Sequence, residues 1–231
     1  MADSHADMKQ AAAEAAVSEI EAGMIVGLGT GSTAAFAISA LGRRVRDGLA
    51  VTACATSLGT ERAARAAGIM IVPFEEIGRV DLAIDGADEI DPAFRAIKGG
   101  GGAMLREKIV AASATRMICI VDRSKLVAEL GRPLPIEVLP FAHAAVARVI
   151  AALDGDAILR IDAAGAPALS DQANLLFDCA FGAIADPAGL AAALDAVPGL
   201  LGHGLFLSEI DALFVGVDGR VERPERATNL D

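Results

Sequence analysis

Three observations predict an α/β protein in which a mostly parallel sheet carries a smaller inserted α+β unit. Short apolar runs rich in β-branched residues alternate with helical stretches through the first half of the chain, the pattern of parallel strands joined by crossover helices. Beyond Arg132 the order changes to strand, helix, strand, strand, helix, strand, a split βαββαβ unit. The apolar residues, 54% of 231, are mainly Ala, Val, Leu and Ile with 3% aromatics and 24 glycines, which suits strands and closely packed helices around a continuous core.

The elements follow in order. Small and apolar residues recur at helical spacing from Ser4 to Ala22, and Gly23 stops that helix. MIVGL, VTACAT, IMIV and VDLAID then read as strands, the first three separated by the helical stretches STAAFAISALGRRVRDG and LGTERAARAAG. Right-handed crossovers place the carboxyl ends of such strands along one edge, where ligands bind. FRAIK is a further strand candidate, followed by four glycines, the helix GAMLREKIVAASA and the strand RMICIVD. After PLP come IEVLPF, a helix over Ala142–Leu153, AILRID, NLLFDCAF, a helix over Pro187–Ala196 and LLGHGLF as a final strand of the insert. ALFVGVDG returns to the style of the first half, so the predicted domains are discontinuous: 1–132 with 207–231, and 133–206.

A net charge of −11 disfavours nucleic acid and anionic membrane surfaces as partners. A small anionic substrate is still compatible, because it needs only a local pocket of N–H groups and a few cations. The acid-bearing amino-terminal segment predicts no signal peptide, and no apolar run reaches the about 18 to 20 residues of a membrane span; a soluble, cytoplasmic protein is expected. Cys54, Cys119 and Cys179 sit singly in apolar runs without CxxC spacing and read as buried, reduced thiols. His5, His143 and His203 share no motif and read as surface or structural.

Three motifs could carry chemistry. Gly27-Leu28-Gly29-Thr30-Gly31-Ser32-Thr33 lies at a strand-to-helix turn, where N–H groups, a helix amino end and hydroxyls can hold phosphate. The dinucleotide fingerprint wants glycine where Ser32 stands, and a P-loop wants a lysine after the glycines, so NAD and nucleoside triphosphates are disfavoured; a tight structural turn is the alternative. Asp85-Gly86-Ala87-Asp88-Glu89-Ile90-Asp91 puts four acids at the carboxyl end of an apolar strand, with a solvated loop or a metal site as the alternatives. No histidine pair supports a metal, and none is expected. Lys98-Gly99-Gly100-Gly101-Gly102 leads into a helix that bears Glu107. Consecutive glycines are entropically costly, which suggests a ligand against the backbone, with a flexible hinge as the alternative. A carboxylate, a cation and N–H donors together suit removal of a proton next to a carbonyl and stabilisation of the enediolate, with no redox cofactor.

GLGTGSTA, TSLGTE, DGADEID, KGGGGAMLREKI and VDRSKLV, in this order and at these spacings, closely resemble the ribose-5-phosphate isomerase A family over most of the chain. The resemblance implies a Rossmann-like domain with an inserted ferredoxin-like domain, a cofactor-free aldose-ketose isomerase of the pentose phosphate pathway, and a homodimer or a tetramer of dimers. It implies Glu107 as the base that moves the proton between C1 and C2 and Lys98 as the cation that stabilises the enediolate. Asp85 and Asp88 correspond to the carboxylates that hold sugar hydroxyls and assist ring opening. Thr30, Gly31, Ser32 and Thr33, with Gly86, Ala87, Gly99, Gly100 and Gly101, correspond to substrate-binding backbone and side chains. Lys125 matches a binding lysine and Lys9 a phosphate contact. The family's Thr-Asp-Asn-Gly-Asn turn reads Ser170-Asp171-Gln172-Ala173-Asn174 here, and the lost glycine predicts a changed turn type. A non-catalytic sugar-phosphate sensor is the alternative function; the acidic charge and the set Asp85, Asp88, Lys98 and Glu107 argue against it.

Overall fold

A computed structural model describes residues 5–227. In chain order its elements are α1 His5–Val17, β1 Ile25–Leu28, α2 Ser32–Arg46, β2 Thr52–Ala55, α3 Leu58–Ala66, β3 Met70–Ile71, α4 Phe74–Ile77 and β4 Val80–Asp85. Then follow β5 Glu89–Ile90, β6 Ala96–Ile97, α5 Met104–Ala112, β7 Ala114–Asp122, β8 Leu134–Val138, α6 His143–Ala152 and β9 Asp156–Leu159. The last are β10 Leu175–Ala180, α7 Pro187–Asp195, β11 Leu200–His203, β12 Leu205–Phe206, β13 Ala212–Val217 and β14 Arg220–Glu222. The first helix is shorter than its periodicity suggests, ending at Val17, and the Ser4 at its predicted start lies outside the described residues.

The chain divides into two compact units, one of residues up to Ala87, Arg106–Leu126 and residues from Ser208, the other of Asp88–Leu105 and Val127–Leu207. In the first, seven strands run in the order β14-β13-β7-β4-β1-β2-β3. All neighbours are parallel except the β13–β14 hairpin at one edge. The chain leaves β1 towards β2 and β3, then returns to the other side of β1 as β4. That reversal makes the β1–β4 carboxyl ends a topological switch point, the place where open parallel sheets bind ligands. Val26, Leu28, Ile84, Ile118, Ile120 and Phe214 build the core of this unit, with the alanines of α1 and α2 packed against them. Small residues bring helix and sheet close: a Cβ on Gly27 would stand 2.6 Å from Val110 Cγ1.

The second unit has a four-stranded antiparallel sheet in the order β11-β8-β10-β9. Its path, β8-α6-β9-β10-α7-β11, is the predicted split βαββαβ unit, and this order is the ferredoxin-like arrangement. Leu134, Ile136, Val138, Phe177 and Cys179 point to one face and form a core with Val146 and Ile150 of α6 and Leu194 of α7. A second sheet of this unit, β12-β6-β5, was not legible as such. FRAIK forms only the two-residue β6, because Phe94 turns into the left-handed region at φ 62°. LLGHGLF is two strands in two sheets rather than one. The break is at Gly204, where a Cβ would meet the Lys98 carbonyl oxygen at 2.2 Å. Residues 88–105 and 127–132 group with the smaller unit, although both lie within the 1–132 segment expected for the larger one.

The hairpin at Ser170–Asn174 retains the backbone that glycine would favour. Ala173 takes φ 60°, its N–H donates to the Ser170 carbonyl at 2.9 Å, and Ser170 N–H donates to Asn174 O at 2.9 Å. This is a three-residue loop closed by a left-handed residue. Ser170 Oγ and Asn174 Nδ2 donate to Glu137 Oε1 at 2.7 and 2.8 Å, which anchors the loop to β8 despite the strained alanine. An L-residue in that region costs about 1 kcal/mol or more. Ala173→Gly should therefore raise unfolding free energy by about 1 kcal/mol in denaturant titration, less the entropy glycine adds to the unfolded chain.

Candidate active site

In the larger unit the site begins at the switch point. Asp85 closes β4 and is buried, 4% exposed. Its Oδ1 accepts the N–H of Thr30 at 3.1 Å and of Gly86 at 2.7 Å. A Cβ on Gly29 would fall 2.0 Å from that same oxygen, so the glycine between β1 and α2 is required for the carboxylate to reach the turn. Gly31 caps α2 with φ 110°, a left-handed conformation suited to glycine. Ser32 and Thr33 then open α2, where N–H groups and the helix dipole favour an anion. Lys9 of α1 donates to Ser32 Oγ at 3.0 Å, so these two predicted site residues meet. Gly86 lies beside Thr33; a Cβ there would be 3.7 Å from Thr33 Cβ.

Thr30's hydroxyl serves a network that the sequence reading left unassigned. It lies within 2.9, 2.9 and 3.1 Å of the hydroxyls of Thr56, Ser57 and Thr60. Thr56 and Thr60 in turn donate to the carbonyls of Leu28 and Gly29 at 3.1 and 2.8 Å, and Ser57 caps α3 by accepting Thr60 N–H at 3.0 Å. The block TSLGTE thus braces the glycine turn. Its signal in the sequence is two hydroxyl residues directly after a strand and a third three positions on.

Glu107 is in the first turn of α5 and 4% exposed. It stands three residues before Val110, hence on the helix face that packs over Gly27 of β1. Because α5 feeds directly into β7, a strand parallel to β4, its first turn lies at the carboxyl edge of the sheet. Lys125 is in a 3₁₀ turn, Arg123–Lys125, immediately after β7. Asp122, 1% exposed, holds that turn: its Oδ1 accepts Ser124 N–H at 3.0 Å, Ser124 Oγ–H at 2.5 Å and lies 3.2 Å from His5 Nδ1. Burial pushes the Asp122 carboxyl up, but the Ser124 and His5 hydrogen bonds and the His5 charge outweigh it, and the group titrates below the ordinary aspartate range.

The smaller unit holds the other predicted residues. Asp88 Oδ2 accepts Gly100 N–H at 2.8 Å, and Asp88 N–H donates to Ile97 O at 2.8 Å. Lys98 is 2% exposed, its Nζ 5.2 Å from the centre of the Phe206 ring and its N–H donated to Gly204 O at 2.9 Å. A cation over a ring in a water-poor site keeps its charge poorly screened. Gly99 and Gly102 have φ 109° and 79°, and Gly102 N–H closes a turn onto Gly99 O at 3.0 Å. Ala87 ends the first segment of the larger unit, Gly101 lies within the glycine run, and Glu107 follows the return to the larger unit at Arg106. The remaining acids of the predicted cluster have backbone work: Glu89 accepts the N–H groups of Gly131 and Arg132 at 2.8 and 3.0 Å, and buried Asp91 accepts those of Ala93 and Arg95 at 2.9 and 3.0 Å. All three cysteines are buried, and burial first of all pushes the thiols of Cys54 and Cys179 up to about 11 and about 12.

The family model described as ribose 5-phosphate isomerase A (phosphoriboisomerase A) matches residues 52–219. The chain belongs to the ribose 5-phosphate isomerase A family. Ribose-5-phosphate isomerase A of Sphingopyxis alaskensis is 51% identical over 215 residues, 93% of this chain and 94% of that one. That of Roseiflexus castenholzii is 50% identical over 219 residues, 93% and 94% of the two chains. Among solved structures, ribose 5-phosphate isomerase A from Methanocaldococcus jannaschii superposes with a TM-score of 0.92 at 37% identity, covering 96% of this chain and all of that one. A D-ribose-5-phosphate isomerase in complex with phospho-erythronic acid superposes at 0.93 with 35% identity, covering 97% and 100%. As in these isomerases, a mostly parallel sheet is the centre of the fold. No helix among the described residues is long and apolar enough to cross a membrane.

Asp122 connects this geometry to pH. Its folded value lies below the unfolded one, so the stability it contributes is fully present above about pH 4, the ordinary aspartate range, and is lost as pH falls through the depressed folded value. Asp122→Asn should lower the melting temperature at pH 7, and the gap to wild type should narrow below about pH 4. A constant gap across the acid range would show that packing, not charge, accounts for the difference.

Proposed function

We propose that the protein interconverts D-ribose 5-phosphate and D-ribulose 5-phosphate by proton transfer through an enediolate, with Glu107 as base. What carries this reading is the placement of Asp85 at the switch point of the sheet, cradled by the glycine turn, in a chain about half identical to isomerases of this name over nearly all its length. Lys9, Ser32 and Lys125 are the proposed phosphate contacts; a dianion there gains from the amino end of α2 and from two ammonium groups.

The reaction is redox-neutral overall. With the sugar ring opened, the Glu107 carboxylate removes the proton from C2, and the electron pair moves to give an enediolate across C1 and C2. The Lys98 ammonium and N–H groups of the 99–101 loop stabilise its oxygen, an effect that is largest in a buried site where donors are fixed beforehand. Glu107 then returns the proton to C1, while a proton moves from O2 to O1, leaving the carbonyl at C2. Asp85 and Asp88 hold hydroxyls and serve ring opening and the oxygen-to-oxygen transfer. Ala87 and Gly86 offer backbone between those two carboxylates, and Thr30, Gly31 and Thr33 complete the phosphate-side turn. Phospho-erythronic acid, bound by a solved relative, is a phosphorylated four-carbon acid whose planar carboxylate resembles the enediolate, and it should inhibit this protein competitively. A homodimer or a tetramer of dimers and a cytoplasmic location belong to the same proposal.

Glu107→Gln keeps the shape and removes the base. It should lower kcat by a factor on the order of 100 or more with little change in ribose 5-phosphate affinity; retained turnover removes Glu107 from that role. A wild-type protein that binds the sugar phosphate without converting it would instead be a sensor. Lys125→Ala should raise KM with kcat largely kept, and a loss confined to kcat would contradict a phosphate-binding role.

A further inference from the structure

The glycine run after Lys98 lies on the face of the four-stranded sheet opposite α6 and α7. Pro135, Leu176 and Asp178 point to that face, alternating with the core residues Leu134, Ile136 and Phe177. Contact is close: a Cβ on Gly99 would stand 3.1 Å from Pro135 Cβ, and one on Gly102 3.1 Å from Leu176 Cδ1. The glycines therefore serve close approach of backbone to sheet. Glycine backbone is also the least self-restraining, so a loop that must aim N–H groups at a reacting oxygen needs something to hold its peptide planes.

Arg160, directly after β9, is placed to do this. Its Nε and Nη2 donate to the two oxygens of Asp178 at 3.0 and 2.5 Å, a bidentate pair that fixes the plane of the guanidinium. The remaining nitrogen, Nη1, donates to both Gly99 O and Gly100 O at 3.3 Å. The Arg160 side chain is only 18% exposed, so water competes weakly for it. In a trans peptide the carbonyl and the following N–H point in opposite directions. Holding Gly99 O thus aims Gly100 N–H, which donates to Asp88 Oδ2 at 2.8 Å, and holding Gly100 O aims Gly101 N–H away from the guanidinium. The cation also polarises both peptides and makes those N–H groups stronger donors.

We propose that Arg160, fixed by Asp178, is a positioning residue for the isomerisation: it clamps the Gly99 and Gly100 carbonyls and so sets the aim of the glycine-loop N–H groups and of Asp88. It touches no substrate. This rests on the reading of Lys98 and the loop as the enediolate-stabilising group. The clamp acts on the reacting carbons, not on phosphate binding by Lys9, Ser32 and Lys125, so its signature is a split between kcat and affinity.

The test is steady-state isomerisation of ribose 5-phosphate by full-length wild type, Arg160→Met, Arg160→Lys, Asp178→Asn, the double variant Arg160→Met/Asp178→Asn and Glu107→Gln, with inorganic phosphate and phospho-erythronic acid as inhibitors. Arg160→Met should lose kcat by about 10- to 100-fold, the cost of misplacing a catalytic group by a fraction of an ångström to an ångström. KM and inhibition by inorganic phosphate should change less than about threefold, while inhibition by phospho-erythronic acid weakens along with kcat. Asp178→Asn, which leaves the arginine in place and keeps the side-chain shape, should show the same split, and the double variant should be no worse than the poorer single one. Arg160→Lys should not restore kcat, because an ammonium cannot bridge the carboxylate and two carbonyls in one plane. The clamp is overturned by a folded Arg160→Met and Asp178→Asn with kcat within about twofold of wild type, by full rescue with lysine, or by loss of phosphate inhibition in parallel with kcat. If wild type itself fails to isomerise the sugar, the isomerase reading falls with it; if wild type is active and Glu107→Gln is not, an unaffected Arg160→Met removes the clamp alone.

Discussion

A buried carboxylate is expensive unless its oxygens are satisfied, and in the larger unit the answer to that cost at Asp85 organises everything around it. The carboxylate ends β4 and takes N–H groups from Thr30 and Gly86. It can do so only because Gly29 offers no Cβ on the adjoining strand-to-helix turn. Meeting the cost this way ties the end of β4 to the turn after β1, where the strand order reverses. The hydroxyls of Thr56, Ser57 and Thr60 then brace the turn from β2 and α3, and α2 begins with its N–H groups facing the same edge. These hydrogen bonds satisfy the buried carboxylate and fix the glycine turn at the carboxyl edge of the sheet.

The smaller unit solves a different problem. Its glycine run follows a buried lysine and has little conformational preference of its own, yet it lies in a defined path. Four restraints account for that: close packing on Pro135 and Leu176, the turn closed by Gly102 N–H on Gly99 O, the Gly100 N–H accepted by Asp88, and the Gly99 and Gly100 carbonyls held by Arg160. Lys98 is restrained at both ends, by the pairing of its N–H with Gly204 O and by the Phe206 ring over its ammonium. The Ser170–Asn174 loop shows the same logic where a residue is less suited to its place: Ala173 accepts a left-handed backbone because Ser170 and Asn174 are both anchored on buried Glu137. Ala173 thus occupies a backbone conformation that glycine adopts more readily.

What the sequence determined by itself was whatever repeats locally. Alternation of β-branched runs with helical stretches revealed β1 to β4 and β7 and the order β8-α6-β9-β10-α7-β11, because side-chain period and turn residues are written along the chain. The five glycine- and acid-rich blocks carried the family, which the comparisons bear out. Pairing between distant strands was decided only in three dimensions. Whether FRAIK joins the large sheet, and where LLGHGLF breaks, depends on Gly204 meeting Lys98 across more than a hundred residues. Likewise His5 finds Asp122, Lys9 finds Ser32, and Arg160 reaches back to Gly99. Each joins groups whose chemistry the sequence displays but whose separation along the chain it does not constrain. A hydrogen bond requires contact within about 3 Å, and only the packed chain brings such groups that close.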